Sequence, residues 1–403
     1  MLRLSLGRFN KNVHLLFVCQ ALANTGMSLV ATTTALAAQT IASDQSLVTL
    51  PYALQFVATM ASTGPASFLM RRIGRRNGFS LAAGIVVSGA LLSAYALMAR
   101  NLPLYCLGGV LIGSFNAFAM YYRFTAAEVA SETMRSKAIS YVLAGGVVAA
   151  FCGPGVATWA KDLLAPVVFA GSFTALAVLG GATFVIVRLL EVPDLPAGER
   201  KDSGRPISKI LRQPICAVAI TGAMLAYATM STLMTSTPLA MADCGHSFGD
   251  TAFVIQWHVL GMYGPALFMG HVIARFGAPR VIVAGVFLML ACVGIDLAGV
   301  AVVNFWLALV LLGVGWSAAF VGSTSLLTYA YRPAERAKVQ ALNDTLVFAA
   351  VALGSFVSGV LQNLVGWSAV NLATLPGLLV VGAAVVWLGL RRAAVPALDG
   401  TRA

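Results

Sequence analysis

Arg123 and Asp344 interrupt apolar stretches, in "MYYRFTAA" and "QALNDTLVFAA". An arginine in such a place can hold an anion through two parallel hydrogen bonds, or pair with a carboxylate on another helix. The alternative for Arg123 is a side chain that snorkels to the nearest aqueous face. A carboxylate held away from bulk water, as expected for Asp344, is a candidate carrier of a proton; the alternative is a helix-start residue beside Asn343. His258, next to Trp257, belongs to the residue type that exchanges protons near neutrality, with a hydrogen-bonded neutral imidazole as its structural alternative. Asp296 reads as an outer-end structural residue. His271, Glu128, Glu132 and Arg135 read as gate or topology residues.

Polar and aromatic side chains inside other apolar runs outline a cavity. Gln20 and Asn24 are four residues apart, hence on one helix face. Gln55, Asn116, Tyr122, Tyr227, Thr235, Trp316 and Thr324 complete the set. An aromatic or heterocyclic solute would suit stacking on Tyr122 and Trp316. The sequence carries no HExxH, GxSxG or P-loop pattern, which argues against an enzyme. The six cysteines, Cys19, Cys106, Cys152, Cys216, Cys244 and Cys292, show no CxxC spacing. No metal site and no cofactor are expected.

These residues sit in elements whose class composition settles. Of 403 residues, 59% are apolar and 10% charged, against roughly 25% charged in soluble domains. Runs long enough to cross a bilayer, about 20 residues each, are expected at 13–38, 46–70, 77–99, 103–127, 137–160, 164–190, 213–241, 250–274, 279–302, 304–330, 337–363 and 368–391. The expected fold is an all-α membrane protein with twelve transmembrane helices, here called spans 1 to 12. The basic segment "MLRLSLGRFNKN" precedes a run longer than a signal-peptide core and without a clear cleavage site, so span 1 is expected to be retained.

The net charge is +12, and its distribution matters more than its sum. With these spans, 24 Lys and Arg fall on one side and only Arg100 and Lys161 on the other. That is the positive-inside pattern, and it places both termini in the cytoplasm. No basic-aromatic motif accompanies it, so no nucleic-acid partner is expected.

The polar stretch "EVPDLPAGERKDSGRPISKILRQP" divides the chain into a six-helix bundle at 1–190, a cytoplasmic linker at 191–212 and a second six-helix bundle at 213–403. The halves resemble each other. "VLIG" at 110–113 returns as "VLLG" at 310–313, Arg135 and Lys137 match Arg336 and Lys338 at an offset of 201, and Gly153 matches Gly354. Repeated pseudo-symmetric bundles with a pathway at their interface are a common build of secondary transporters. A membrane sensor that binds without transporting is the rival of a different class.

The stretch "FLMRRIGRRNGF" (68–79) falls between spans 2 and 3, and "GHVIARFGAPR" (270–280) falls at the matching turn of the second half, with Arg275 and Gly277 aligned to Arg72 and Gly74. This turn resembles the major facilitator superfamily motif Gly-x-x-x-Asp-Arg-x-Gly-Arg-Arg, and the resemblance extends over essentially the whole chain. Arg72, Gly74, Arg75 and Arg76 match its later positions, whereas Ser67 and Arg71 replace its glycine and acidic residue. The resemblance implies the major facilitator fold and a cytoplasmic latch between the halves. Without the acidic residue that latch must be weaker or rewired. It also implies that spans 1, 4, 7 and 10 line the centre.

In span 5, "AGGVVAAFCGPGVA" (144–157) puts Gly145, Ala149 and Gly153 on one face, open to close helix approach, and Pro154 introduces an expected kink. It is similar to the glycine-proline motif of proton-coupled drug exporters, with small-residue packing as the structural alternative. "QWHVLGMYGPALFMG", "LGVGWSAAFVG" and "ERAKVQALND" resemble a broad bacterial group that includes riboflavin transporters. The combined expectation is a monomeric transporter in a bacterial-type inner membrane, moving a small organic solute by alternating access with proton coupling. Span 5 leans the expectation towards efflux; uptake of a vitamin-like aromatic solute such as riboflavin is the alternative. The expected substrate contacts are Gln20, Asn24, Gln55, Asn116, Tyr122, Arg123, Tyr227 and Trp316. Coupling or gating is expected of Asp344, Arg72, Gly74, Arg75, His258, Gly153 and Pro154.

Overall fold

The computed structural model describes residues 10–131, 134–192, 204–332 and 335–394. Among them the chain forms only helices, turns and bends. In order these are α1 (Lys11–Gln39), a 3-10 turn (Gln45–Leu47), α2 (Leu50–Ile73), α3 (Arg75–Met98), α4 (Leu102–Ala119), α5 (Tyr122–Val129), α6 (Arg135–Leu143), α7 (Gly145–Ala160) and α8 (Ala170–Arg188). There follow α9 (Ile207–Leu211), α10 (Pro214–Asp243), α11 (Phe248–Phe276), α12 (Ala278–Ala298), α13 (Val302–Leu327), α14 (Arg336–Leu364) and α15 (Trp367–Ala394).

Among the described residues, eleven helical stretches are long and apolar enough to cross a membrane. The twelfth expected span, α2, is less apolar because Pro51, Gln55, Pro65 and several Ser, Thr and Gly residues lie within it. Its 24 residues still reach about 36 Å at 1.5 Å per residue. Two spans are interrupted where an unbroken helix would have been expected. Span 4 divides into α4 and α5 at Met120–Tyr121, where Tyr121 N donates to Phe118 O at 2.9 Å. Span 5 divides into α6 and α7 at Ala144, directly before Gly145 and Gly146, a residue type with a weak hold on a helix. The helix runs on through Pro154 without a break.

Helix starts follow local chemistry. Asn10 caps α1 by accepting from Val13 N at 3.1 Å, Asn101 caps α4 by accepting from Leu104 N at 3.0 Å, and Ser247 forms a reciprocal capping box with Asp250. Within the spans, Thr25, Thr32, Thr33 and Thr237 each donate to the carbonyl four residues earlier, so their hydroxyls are satisfied without water.

The helices form two bundles. In the first, α1 packs on α7 and α8, α3 on α4 and α8, and α2 on α4; in the second, α10 packs on α13, α14 and α15, α12 on α13 and α15, and α11 on α13. The bundles meet along α2–α14, α7–α11 and α1–α10. At the end remote from the termini they are shut together. Every residue from Ser28 to Ala38 in α1, and from Thr229 to Met241 in α10, is buried. There Thr49 Oγ1 donates to Phe356 O at 3.2 Å across the halves, and the Phe169 and Phe248 rings lie 5.3 Å apart.

Candidate functional site

Six helices bring aromatic and ionisable side chains to the interface between the bundles. On α13, Trp316 and Phe320 are four residues apart and stack, with ring centroids at 5.1 Å and an interplanar angle of 9°. Tyr227 of α10 meets both edge-on at 5.2 Å, and Phe348 of α14 lies 6.3 Å from Tyr227. The second bundle therefore presents a continuous aromatic wall.

The first bundle brings Arg123 of α5 to the same interface. The guanidinium carbon lies 4.9 Å from the Phe124 ring centroid, and Nε is buried without a hydrogen-bond partner. Asp344 of α14 and Tyr263 of α11 are within electrostatic reach of it, so a charge on one half is felt by groups on the other. Asn343 Nδ2 donates to Asp344 Oδ1 at 3.1 Å, while Asn343 Oδ1 is buried and unpartnered. Tyr263 also lies within electrostatic reach of Tyr52 of α2 and Tyr227. A Cβ built on Gly146 of α7 would come within 2.7 Å of the Tyr263 ring, so that ring uses the space the glycine leaves.

The structure sorts the remaining expected site residues. Gln20 Nε2 donates to Asn24 Oδ1 at 2.9 Å on one face of α1, and Asn116 is buried in α4. Tyr122 does not join Trp316. Its ring packs 4.7 Å from Phe79 of α3, wholly inside the first bundle. Successive residues on a helix point about 100° apart, so Arg123 facing the interface turns Tyr122 inward. Tyr227 takes the stacking position expected of Tyr122.

Gln55 and His258 occupy matching places in the two halves. A Cβ on Gly113 would overlap the Gln55 carbonyl, and a Cβ on Gly313 would overlap the His258 carbonyl. Both residues thus mark the glycine crossings of α2 with α4 and of α11 with α13. His258 Nδ1 lies 2.8 Å from Leu309 O within that crossing, while its Nε2 is buried with no hydrogen-bond partner.

The small face of α7 packs against α1. A Cβ on Gly145 would come 2.9 Å from Ala21 N, and one on Gly153 would come 2.5 Å from Ser28 Cβ. Close packing within one bundle therefore explains Gly153, and Pro154 is buried in the same helix.

At the arginine-rich turn, Gly74 has φ 82° and ψ 157°; Gly277 has φ 82° and ψ 145°. A positive φ of this size favours glycine, and its repetition shows the two turns to be the same device. Arg75 binds Glu128 of α5 with Nε–Oε2 at 3.2 Å and Nη2–Oε1 at 2.6 Å, and its guanidinium carbon lies 5.4 Å from the Tyr121 centroid. The carboxylate that the turn lacks at Arg71 comes instead from the end of span 4, inside the same half. Arg71 and Arg72 are exposed in the last turn of α2, where cations complement the helix dipole. Glu132 and the side chain of Arg135 lie outside the described residues.

Tyr52, Tyr263, Gly146, Phe320 and Phe348 were not anticipated. Two carry a readable signal: Phe320 follows Trp316, and Phe348 follows Asp344, by the four residues that keep a helix face. All six cysteines are free thiols, and no group of three His, Cys, Asp or Glu is placed to hold a metal among the described residues.

Comparison with known proteins agrees with this architecture. The Major Facilitator Superfamily profile matches residues 16–264 and 219–403. The riboflavin transporter RfnT of Brucella anthropi is 37% identical over 368 residues, covering 91% of this chain and 92% of its own. The uncharacterised MFS-type transporter YddS of Bacillus subtilis is 27% identical over 383 residues, covering 87% and 84%. The crystal structure of the nucleoside transporter NupG superposes with a TM-score of 0.71 at 12% identity, covering 93% of this chain and 99% of that one. The chain belongs to the major facilitator superfamily and is a multi-pass membrane transporter of a small molecule, not an enzyme.

Proposed function

We infer that the protein moves a planar aromatic solute of the riboflavin kind, and that uptake into the cell is its direction. The observation that carries this reading is the aromatic wall Tyr227–Trp316–Phe320–Phe348 in the second bundle, with Arg123 of the first bundle in electrostatic reach of Asp344 and Tyr263 across the interface. A fused heteroaromatic ring stacks on such a wall, and a guanidinium donates to the ring carbonyls or the deprotonated imide of a flavin. The printed function of the Brucella relative supports the same class. The expectation of efflux rested on span 5, whose glycine face is explained by packing against α1.

Asp344 is the proposed proton carrier. It shares its electrostatic environment with Arg123 across the two bundles, so protonation changes the attraction between them. The cytoplasmic placement of both termini, the inner membrane, the bundle limits 1–190 and 213–403 and a monomeric working unit complete the proposal; the charge asymmetry supports the orientation.

The test is riboflavin flux into proteoliposomes of oriented protein, with and without an imposed proton gradient. Saturable flux that rises with the gradient and falls in Asp344→Asn is expected. Flux indistinguishable from protein-free vesicles would reject the substrate class. Gradient-independent flux would reject proton coupling alone.

A further inference from the structure

An open groove of about 510 Å³ runs down the outer face of the first bundle, lined by Ser80, Leu81, Gly84 and Ser88 of α3 with Leu111 of α4 and Phe184 of α8. Gly84 and Ser88 are exposed, nothing lies within 4 Å of where a Gly84 Cβ would stand, and Ser80 spends its hydroxyl on Arg76 O at 2.9 Å. The lining is therefore apolar in effect and faces the bilayer. We propose that the groove holds one acyl chain of a phospholipid with an anionic headgroup, whose phosphate is bound by Arg76 and Arg188 at the groove's mouth.

The helix register places both arginines at that mouth. Arg76, Ser80, Gly84 and Ser88 follow one another at four-residue steps, so they form one ridge of α3. Phe184 and Arg188 are likewise four apart on α8. Spans 3 and 6 run in opposite directions, and a Cβ on Gly180 would come 2.8 Å from Val86 Cγ1. Eight residues on along α8 and eight back along α3, Arg188 is level with Gly78, within a turn of Arg76. From Ser80 to Ser88 the groove covers about 12 Å of helix. That is most of the roughly 15 Å that one leaflet's hydrocarbon occupies, so the groove matches a chain that descends from a headgroup at the arginines.

Charge selects the headgroup. Arg71, Arg72, Arg76 and Arg188 are exposed and form no ion pair among the described residues. Glu128 is taken by Arg75, and Glu191, three residues beyond Arg188, by Lys11. A guanidinium binds phosphate oxygens through paired hydrogen bonds, and uncompensated arginines at a membrane surface favour a lipid of net negative charge. The second half shows that such a groove does not come with every membrane span. With Gly277 aligned to Gly74, Pro279 stands where Arg76 does and Phe287 where Gly84 does, and Phe287, 67% exposed, fills the ridge. In the last span of that half Arg391 turns onto its own Trp387 ring, its guanidinium carbon 4.4 Å from the centroid.

The test titrates dioleoylphosphatidylglycerol, or zwitterionic dioleoylphosphatidylcholine with the same chains, into the detergent-solubilised full-length protein, and native mass spectrometry counts the lipids retained. One phosphatidylglycerol, held about tenfold more tightly than phosphatidylcholine, is expected. Its affinity should fall about tenfold in the double variant Arg76→Gln/Arg188→Gln, and as far in Gly84→Leu, which keeps both arginines and fills the groove. It should be unchanged in Arg280→Gln and Gly294→Leu, which alter an exposed arginine at the same membrane face and an exposed glycine, both in the second half. Melting in lipid-free detergent separates out a folding defect, and Ser88→Leu fills the same groove if Gly84→Leu melts early. Equal retention of the two lipids overturns the proposal, as does a loss in Arg280→Gln matching that of the double variant. A loss in the double variant alone, with the filled groove still binding, leaves a headgroup without a seated chain and overturns it too.

Discussion

Glu335 receives Arg205 through three hydrogen bonds, from the backbone N to Oε1 at 2.8 Å, from Nε to Oε1 at 2.8 Å and from Nη2 to Oε2 at 2.7 Å. Arg332 N adds a fourth at 2.9 Å, and the Glu335 side chain is wholly out of contact with solvent. Gly204, at φ 62°, passes so close that a Cβ there would come 2.5 Å from Glu335 Cγ. The end of the linker is thereby pinned to the turn between α13 and α14, and Lys338 holds the Arg205 carbonyl as well.

The Arg205 side chain and the surrounding N–H groups hold the Glu335 carboxyl well below its ordinary value of 4.5. A lowered folded-state pKa contributes stability above the ordinary value, lost progressively as pH falls below it. Glu335→Gln should lower Tm at neutral pH, and the gap to wild type should narrow below about pH 4.5. A gap of constant size from pH 7 to pH 3, followed by tryptophan fluorescence, would show that the charge is not used.

Gly74 and Gly277 share a positive φ that costs an alanine about 1–2 kcal/mol. Each Gly→Ala change at these turns should destabilise the detergent-solubilised protein by that amount. Gly181→Ala, in the interior of α8 with nothing within 4 Å, should be neutral or stabilising by up to about 1 kcal/mol. Equal responses at all three positions would contradict the turn geometry.

Gly146→Ala should reduce transport, because the added methyl pushes on the Tyr263 ring where α7 approaches α11. An accompanying Tyr263→Ala should restore part of the lost rate. Wild-type flux in Gly146→Ala, in the proteoliposome assay, would show that this contact is free to relax.

Trp316→Ala should weaken riboflavin binding about tenfold, the loss of one stacking partner at about 1.4 kcal/mol. Tyr122→Phe should leave affinity unchanged, since the Tyr122 ring is enclosed in the first bundle and its hydroxyl has no partner. Quenching of riboflavin fluorescence on binding reads both. A loss in Tyr122→Phe as large as in Trp316→Ala would move the site into the first bundle.

The stretches that cross the membrane were legible because each needs about 20 apolar residues and must satisfy its backbone hydrogen bonds within itself. Run length alone therefore located them. The duplicated turn was legible too, since Gly74 and Gly277 stand in the same local sequence and a positive φ is a local demand. Facing was far less readable. A helix apolar on every side carries no stripe to mark its inner face, so nothing in "MYYRFTAA" says whether Tyr122 or Arg123 looks across the interface.

The order of the membrane-crossing stretches and the repeat were thus set by the sequence on its own, through local hydrogen bonding and the energetics of apolar runs. Tertiary packing decided that Tyr227 and not Tyr122 joins Trp316, that Glu128 supplies the carboxylate Arg71 replaced, and that Glu335 pins Arg205 across 130 residues of chain. Those partners are chosen by how helices rotate and cross, at glycines such as Gly113, Gly146 and Gly313, and such rotations depend on distant segments at once.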